Sequence, residues 1–237
     1  MKIHTFIFNW RGQYDKTKQK EQQLKDLNIP FTVINSDEEH EEDGWENIGE
    51  ESYFTAQFLK AVEIFSKTDA DALFHIQADA SFDNWGGLIY DAEKYFEEYN
   101  WGIYAPNVDY TWYDSSRVDL DALELEYPNL KMVSNTDCTC WFIHRDIIKM
   151  AYDRGVDFSP YKMGWSFDIV YTALAYMSQR PVLRDYNYTI DHPKGTNYNT
   201  EQAEKEMQDL FFSLPNDIQI AFASIKGDKY NLYNYYK

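Results

Sequence analysis

A lone carboxylate follows a short apolar segment in the first half of the chain. The segment 72–76 has the length and composition of a buried strand, and Asp79 follows it among small residues. Ligand sites in open α/β sheets lie outside the carboxyl ends of strands, so Asp79 is a candidate ligand for a metal ion. The same pattern also fits an aspartate that only forms a turn, and both interpretations stay open.

Two later segments also place polar side chains beside predicted elements. Gly164-Trp-Ser-Phe-Asp168 precedes an apolar helix, and His192 and Lys194 follow a late strand. The carboxylate of Asp168 can serve as a general base if it lies in a partly dry cleft. Asp168 can also be favoured at the start of the helix by the helix dipole alone. His192 and Lys194 can be ordinary loop residues.

The elements that would position these residues alternate along the chain. Apolar alternation predicts strands, and apolar residues three and four apart predict the intervening helices. The strands fall at residues 3–8, 31–35, 72–76, 102–106, 135–144 and 182–188. The helices fall at residues 15–27, from 52, 88–99, 147–151, 170–177 and from 199. This order predicts an α/β fold with a mainly parallel central sheet and helices on both faces.

Length and hydropathy predict one soluble domain. The 237 residues suit a single domain over residues 1–237, with a C-terminal helical appendage from about residue 200 to 237. No apolar run approaches the roughly 18 to 20 residues that a membrane span needs. The first residues resemble a strand and lack the features of a signal peptide, so a cytosolic location is expected.

Charge and composition narrow the possible partners. The net charge of -18 disfavours nonspecific binding to nucleic acid. Cys138 and Cys140 lack the spacing of a zinc site and are expected to be reduced structural thiols on one face of a strand. With 20 Tyr, 15 Phe and 7 Trp, the chain has more rings than a core of this size needs, so some suit stacking on a sugar or base in a cleft. The acidic run 37–43 around His40 is expected to be a solvated loop and is assigned no role, with a cation site as the less favoured alternative.

Several enzyme classes lack their sequence motifs here. The chain has no Gly-x-Gly-x-x-Gly, Gly-x-x-x-x-Gly-Lys-Ser/Thr, Gly-x-Ser-x-Gly or His-Glu-x-x-His segment. This argues against dinucleotide-dependent oxidoreductases, P-loop hydrolases, serine hydrolases and zincin proteases. A nucleotidyltransferase would be expected to carry a Gly-rich, basic loop after the first strand, where this chain offers only Arg11 and Gly12.

The order of Asp79, Asp168 and His192 resembles that of nucleotide-sugar glycosyltransferases of the GT-A fold, over about residues 1 to 200. In that family an Asp-x-Asp motif holds a divalent cation against the donor diphosphate. Here Gln77 replaces the first aspartate, which is a departure from the family pattern. The resemblance implies a single Rossmann-like GT-A domain, of bacterial or tailed-phage type.

The resemblance also implies the residues on the donor side. Asp79 would bind the metal directly and His192 would complete its shell, while Gln77 would contact the ribose or a metal-bound water. A carboxylate with an imidazole suits Mn²⁺, or Mg²⁺, better than Ca²⁺. Lys194 would neutralise the diphosphate. The loop 9–12, with Asn9 and Arg11, would hold the base of a donor that is expected to be UDP-linked.

On the acceptor side, Asp168 takes the position of the general base of inverting family members. Gly164 permits close approach, and the rings of Trp112 and Trp165 can stack on the acceptor. Asp137 is a weaker catalytic candidate.

The function expected from these residues is metal-dependent transfer of a sugar from a nucleoside diphosphate sugar to a hydroxyl acceptor. That acceptor would be a glycan, or a hydroxymethylated base of phage DNA, which is the only nucleic acid considered as a partner. Two alternatives stay open: a noncatalytic module that binds carbohydrate or nucleotide, motivated by Gln77 and the surplus rings, and a nucleotidyltransferase.

Overall fold

The structure is a computed structural model that describes residues 1–50, 52–111, 113–120, 125–194 and 199–227. Its centre is a sheet of eight strands in the order β3-β2-β1-β4-β7-β5-β8-β6. The strands are β1 (Ile3–Asn9), β2 (Phe31–Asn35), β3 (Glu46–Asn47), β4 (Ala72–Gln77), β5 (Ile103–Val108), β6 (Leu130–Met132), β7 (Cys140–His144) and β8 (Val182–Ile190).

Most of the sheet is parallel, as the sequence predicts. Strands β1 to β4 run parallel to one another, and β5 runs parallel to β8. Between these groups β7 is antiparallel to both β4 and β5, and β6 is antiparallel to β8 at the edge. Because β7 runs in reverse, its first residue pairs with Ile76 near the end of β4. The segment before β7 therefore lies beside the carboxyl ends of β1 and β4.

Helices cover both faces of the sheet. They are α1 (Tyr14–Asp26), α2 (Phe54–Ser66), α3 (Trp85–Tyr99), α4 (Ser115–Val118), α5 (Arg145–Asp153), α6 (Phe167–Met177), α7 (Thr200–Ser213) and α8 (Asn216–Gly227). Side chains alternate along β1, so that Phe6 and Phe8 enter one half of the core and Ile3 and Ile7 the other. Residues of α2, α5, α6 and α8 complete the first half, and residues of α1 and α3 complete the second.

The predicted strand 135–144 is wrong in its first half. The strand begins at Cys140, and Asp137 instead accepts hydrogen bonds from the backbone N–H of Thr139 at 2.9 Å and its hydroxyl at 2.7 Å. Such a local side-chain bond to the backbone competes with extended pairing. Cys138 consequently precedes the strand, and the expectation that both thiols share one strand face is wrong.

The C-terminal helices pack onto the same core. Leu210 of α7 and Ile218 and Phe222 of α8 are buried in the half of the core that contains α6. Within the described residues, no helix combines the length and the apolar character that crossing a membrane requires.

Candidate functional site

The ends of β4 and β8 meet at one edge of the sheet. After β4 the chain turns, with the backbone N–H of Ala80 donating to Gln77 at 3.1 Å. Ser81 and Asp191 then exchange two backbone hydrogen bonds, at 2.8 and 3.1 Å. This bridge holds together two loops that are more than a hundred residues apart in the chain, and it brings Asp79 and His192 into contact.

Three predicted donor-side residues converge there. His192 Nε2 lies 3.5 Å from Asp79 Oδ1 and 3.3 Å from Gln77 Oε1. The side chains of Asp79 and His192 are only 15% and 16% exposed, and Asp79 Oδ1 is buried without a hydrogen-bond partner among the described residues. A buried carboxylate oxygen without a hydrogen bond is costly unless a cation or a proton donor reaches it. The oxygen and nitrogen donors in this cluster fit a divalent transition-metal ion.

The electrostatic environment of His192 is acidic. Burial lowers the pKa of His192, but the Asp79 carboxylate, 3.5 Å away, outweighs that effect, and the charges of Asp137 and Asp109 add to the increase. The net pKa is therefore raised. Asp109 also accepts the backbone N–H of His192 at 2.9 Å, which fixes the loop after β8.

A buried lysine that the sequence pattern does not indicate contacts the backbone next to this cluster. Lys20 of α1 is 4% exposed and donates from Nζ to the carbonyl oxygen of Ala78, at 2.6 Å. The pKa of Lys20 is lowered to about 8, mainly by burial and also by the charge of Lys16, against the opposing charge of Asp79. Lys20 therefore fixes the backbone immediately before Asp79 and places positive charge near that carboxylate.

The acceptor-side candidate Asp168 lies in the first turn of α6, 7% exposed. It accepts a hydrogen bond from the Tyr113 hydroxyl on Oδ2 and from the backbone N–H of Ile169 on Oδ1. The pKa of Asp168 is raised to about 7, mainly by burial and also by the charge of Asp137, against the lowering effect of the Tyr113 hydrogen bond. A carboxyl group that titrates near neutral pH is suited to general base catalysis.

Asp137 acts on both groups through its charge. Its negative charge contributes to the raised pKa of both His192 and Asp168. One oxygen of Asp137 accepts a hydrogen bond from Thr111 at 2.9 Å, and the other is occupied by Thr139. The segment before β7, which the reversed strand brings to the carboxyl ends of β1 and β4, is thus bonded to the loop after β5.

Gly164 and Trp165 lie at the start of α6. Gly164 has a φ of +73°, and a Cβ atom there would be 2.2 Å from a ring carbon of Phe54. Glycine is required on both counts, so the structure gives Gly164 a packing role, and its contact with substrate stays a prediction. Trp165 is partly exposed, three residues before Asp168.

The predicted donor-base residues Asn9 and Arg11 follow β1. The Asn9 amide is buried, donating to Asn35 at 2.7 Å and accepting from Thr17 at 2.7 Å. Arg11 is exposed and forms ion pairs with Glu39 at 2.6 Å and Glu50 at 2.8 Å. Both lie at the carboxyl end of β1, beside the end of β4, but their side chains are engaged by the protein, and donor contact stays a prediction.

The acidic run is more ordered than expected. Asp37 is buried, binds the backbone N–H of Glu39 at 3.0 Å and contacts His40 Nδ1 at 3.0 Å. Possible ligand atoms of Asp37, Glu39 and His40 lie within 4.8 Å of one another, so this group could also hold a cation. The expectation of a fully solvated loop is wrong for Asp37, because buried amides beneath it, such as Asn35, fix its backbone.

Lys194 follows β8, in the loop that also contains His192. Lys194 is exposed, with Nζ 5.7 Å from the ring centroid of Tyr110. Trp112 lies outside the described residues. A groove of about 460 Å³ opens at the other edge of the sheet, against Ile3, His4 and Pro30, and it contains none of the predicted site residues.

The sequence matches no protein-family model and no curated protein sequence. Solved structures share its fold. S. aureus TarS 1-349 in complex with UDP-GlcNAc aligns over 99% of this chain and 76% of that chain, with a TM-score of 0.58 and 11% identity. S. aureus TarS aligns over 98% and 45%, with a TM-score of 0.60 and 10% identity.

A third structure, GalNAc-T7 with UDP, GalNAc and Mn²⁺, aligns over 94% of this chain and 50% of that chain, with a TM-score of 0.55 and 8% identity. At such identities the likeness establishes the fold alone. Together with the strand order, it confirms the predicted α/β fold of GT-A type.

Proposed function

We propose that this protein is a metal-dependent glycosyltransferase that moves a sugar from a nucleoside diphosphate sugar to a hydroxyl acceptor. The observation that carries the proposal is the cluster of Asp79, His192 and Gln77, where a buried carboxylate oxygen has no hydrogen-bond partner in the part of the chain that the structure describes. It lies at the same edge of the sheet as Asp168. The solved structures of similar fold include complexes with UDP-GlcNAc and with UDP and Mn²⁺, which supports a UDP-linked donor.

On the donor side, Asp79 and His192 would hold Mn²⁺ or Mg²⁺, with Gln77 beside them. The cation supplies positive charge that offsets the charge of the diphosphate. Lys194 would add a second positive charge from the loop after β8. Lys20 keeps Asp79 in place through the carbonyl oxygen of Ala78. Asn9 and Arg11, at the end of β1, would lie on the nucleoside side of this cluster.

On the acceptor side, Asp168 would remove the proton of the acceptor hydroxyl. The acceptor oxygen forms a bond to the anomeric carbon as the bond from that carbon to the diphosphate breaks, and the proton passes to Asp168. Burial raises the pKa of this carboxyl to about 7, so it can accept a proton and release it near neutral pH. Such a reaction inverts the configuration at the anomeric carbon.

Thermal shift measurements with UDP, GDP, CMP and dTDP, each with and without Mn²⁺, test the proposal. We expect the largest stabilisation from UDP with Mn²⁺, because a ligand that binds only the folded state raises its stability. Product analysis with the matching nucleotide sugar then separates an enzyme from a noncatalytic binding module, which would bind without turnover. If no nucleotide stabilises the protein in either condition, the proposed function is wrong.

The acceptor is expected to stack on rings beside Asp168, which motivates a test of Trp165. Trp165→Ala should raise KM for the acceptor about 10-fold while leaving the donor KM unchanged, because a stacked base contributes about 1 to 3 kcal/mol. Trp112→Ala should act alike. Trp165→Phe keeps a ring and serves as the matched control. Unchanged acceptor KM in both alanine variants would remove these residues from the acceptor site.

A further inference from the structure

One loop places two hydroxyl groups on the two acids of the acceptor side. In the segment after β5, Thr111 donates its hydroxyl proton to Asp137 at 2.9 Å, and Tyr113 donates its hydroxyl proton to Asp168. Two residues of one loop thus donate hydrogen bonds to two separate carboxylates. Neither contact was expected from the sequence.

The position of Tyr113 is fixed from several directions. Arg184 of β8 donates to the backbone carbonyl of Tyr113 at 2.8 Å, and the backbone N–H of Tyr113 donates to the Thr111 hydroxyl at 3.2 Å. The half-buried ring also packs against the core that contains α6. With its backbone held on both sides and its ring packed, the phenol oxygen has a defined place on Asp168 Oδ2.

We infer that the Tyr113 hydroxyl occupies the acceptor position on Asp168 and thereby excludes water from the base until an acceptor hydroxyl replaces it. The inference rests on the proposed function. A general base deprotonates whichever hydroxyl lies within hydrogen-bond reach, and water is the most abundant one. Hydrolysis would consume donor without transfer. In this role Tyr113 determines specificity between acceptor and water.

The Tyr113 phenol is suited to donating a hydrogen bond to Asp168 and not to accepting the sugar itself. Burial raises the pKa of the Tyr113 phenol well above its usual range, and the charge and hydrogen bond of Asp168 raise it further. The phenol therefore keeps its proton at neutral pH and remains a donor to the carboxylate. Without the phenol, the buried Oδ2 would lose a hydrogen bond, and water is the simplest replacement.

The test compares hydrolysis of UDP-GlcNAc by the full chain with Mn²⁺ and no acceptor, measured as released UDP. Tyr113→Phe keeps the ring and removes only the hydroxyl. We expect it to hydrolyse UDP-GlcNAc at least about 10-fold faster than the unsubstituted protein, since general base assistance to water becomes available. The gain should disappear in the double variant Tyr113→Phe with Asp168→Asn, which a merely structural effect would not explain.

Tyr152→Phe is the matched control, because Tyr152 is 84% exposed on α5 and lies outside the site. Calorimetry with UDP and Mn²⁺ separates two kinds of failure. If UDP does not bind, the proposed function fails and the inference falls with it. If UDP binds but Tyr113→Phe hydrolyses donor no faster than Tyr152→Phe, or if its gain survives Asp168→Asn, the inference alone is wrong. Transfer of the sugar onto Tyr113 itself, seen by mass spectrometry, would also overturn it.

Discussion

Asp168→Asn is expected to lower kcat for sugar transfer by about 10²- to 10⁴-fold, the usual contribution of a general base. The substitution keeps the size of the side chain and removes its basicity. Donor affinity should change little, because the donor-side residues Asp79 and His192 belong to a different cluster. Steady-state kinetics together with calorimetric donor binding would separate these two effects.

The pH dependence provides a second measurement on the same residue. Because burial raises the pKa of Asp168 to about 7, the fraction of ionised base rises as the pH increases through neutrality. The transfer rate of the unsubstituted protein should rise over that interval, and the residual rate of Asp168→Asn should lack this rise. The comparison requires no assumption about which acceptor is used.

Folding stability serves as the control for Asp168→Asn. A carboxyl whose pKa is raised in the folded state makes the folded protein less stable as the pH rises from the usual Asp value toward about 7. Asparagine removes that effect, so the variant should be at least as stable above neutral pH. Asp153→Asn, at an exposed ion pair on α5, is the matched surface change. A folded Asp168→Asn protein with nearly normal kcat would contradict the base assignment, and a larger loss in Asp137→Asn would transfer the role to Asp137.

The fold could be predicted because its core residues are arranged with the period of their elements. Residues such as Phe6, Ile7 and Phe8 alternate between two halves of the core, and this alternation is visible in the sequence. The direction of β7 could not be predicted in the same way. An antiparallel strand buried on both faces has the same apolar pattern as a parallel one, and only the path of the chain reverses it.

The site was predictable where it follows the strand-end rule and unpredictable where it depends on long-range packing. The rule places Asp79 and His192 at one edge, and the structure brings them to 3.5 Å. Lys20 lies in a helix whose residues are mostly polar, so its sequence neighbours do not indicate that it is buried. The only indication is its helical spacing, three residues after Thr17 and four before Leu24, which are also buried. The contact between Tyr113 and Asp168 spans 55 residues and depends on how a loop packs against α6.

Removing either proposed metal ligand is expected to weaken Mn²⁺ binding by more than about 100-fold. Losing a residue that only hydrogen-bonds to a metal ligand already lowers metal affinity about 10- to 100-fold. Asp79→Ala and His192→Ala should both abolish most of the metal-dependent transfer. Within the described residues Asp79 Oδ1 accepts no hydrogen bond, so its removal leaves the backbone contacts of the turn in place, including the bond from Lys20 to Ala78. Electron paramagnetic resonance of free and bound Mn²⁺ measures the effect without donor or acceptor.

The acidic loop offers the matched control for the metal prediction. His40 is also a histidine beside a carboxylate, 3.0 Å from Asp37, and its side chain is 46% exposed. His40→Ala therefore makes the same chemical change in the other group of the described residues that could hold a cation. If Mn²⁺ binds at the end of β4, the signal of bound Mn²⁺ is lost in His192→Ala and retained in His40→Ala. The opposite result would place the cation beside Asp37, at the end of β2, and would leave the buried oxygen of Asp79 to interact with His192 as a protonated partner. That pair would then be a structural ion pair that holds the loop after β8 against the turn after β4, and any metal dependence of the proposed transfer would be assigned to the group of Asp37, Glu39 and His40.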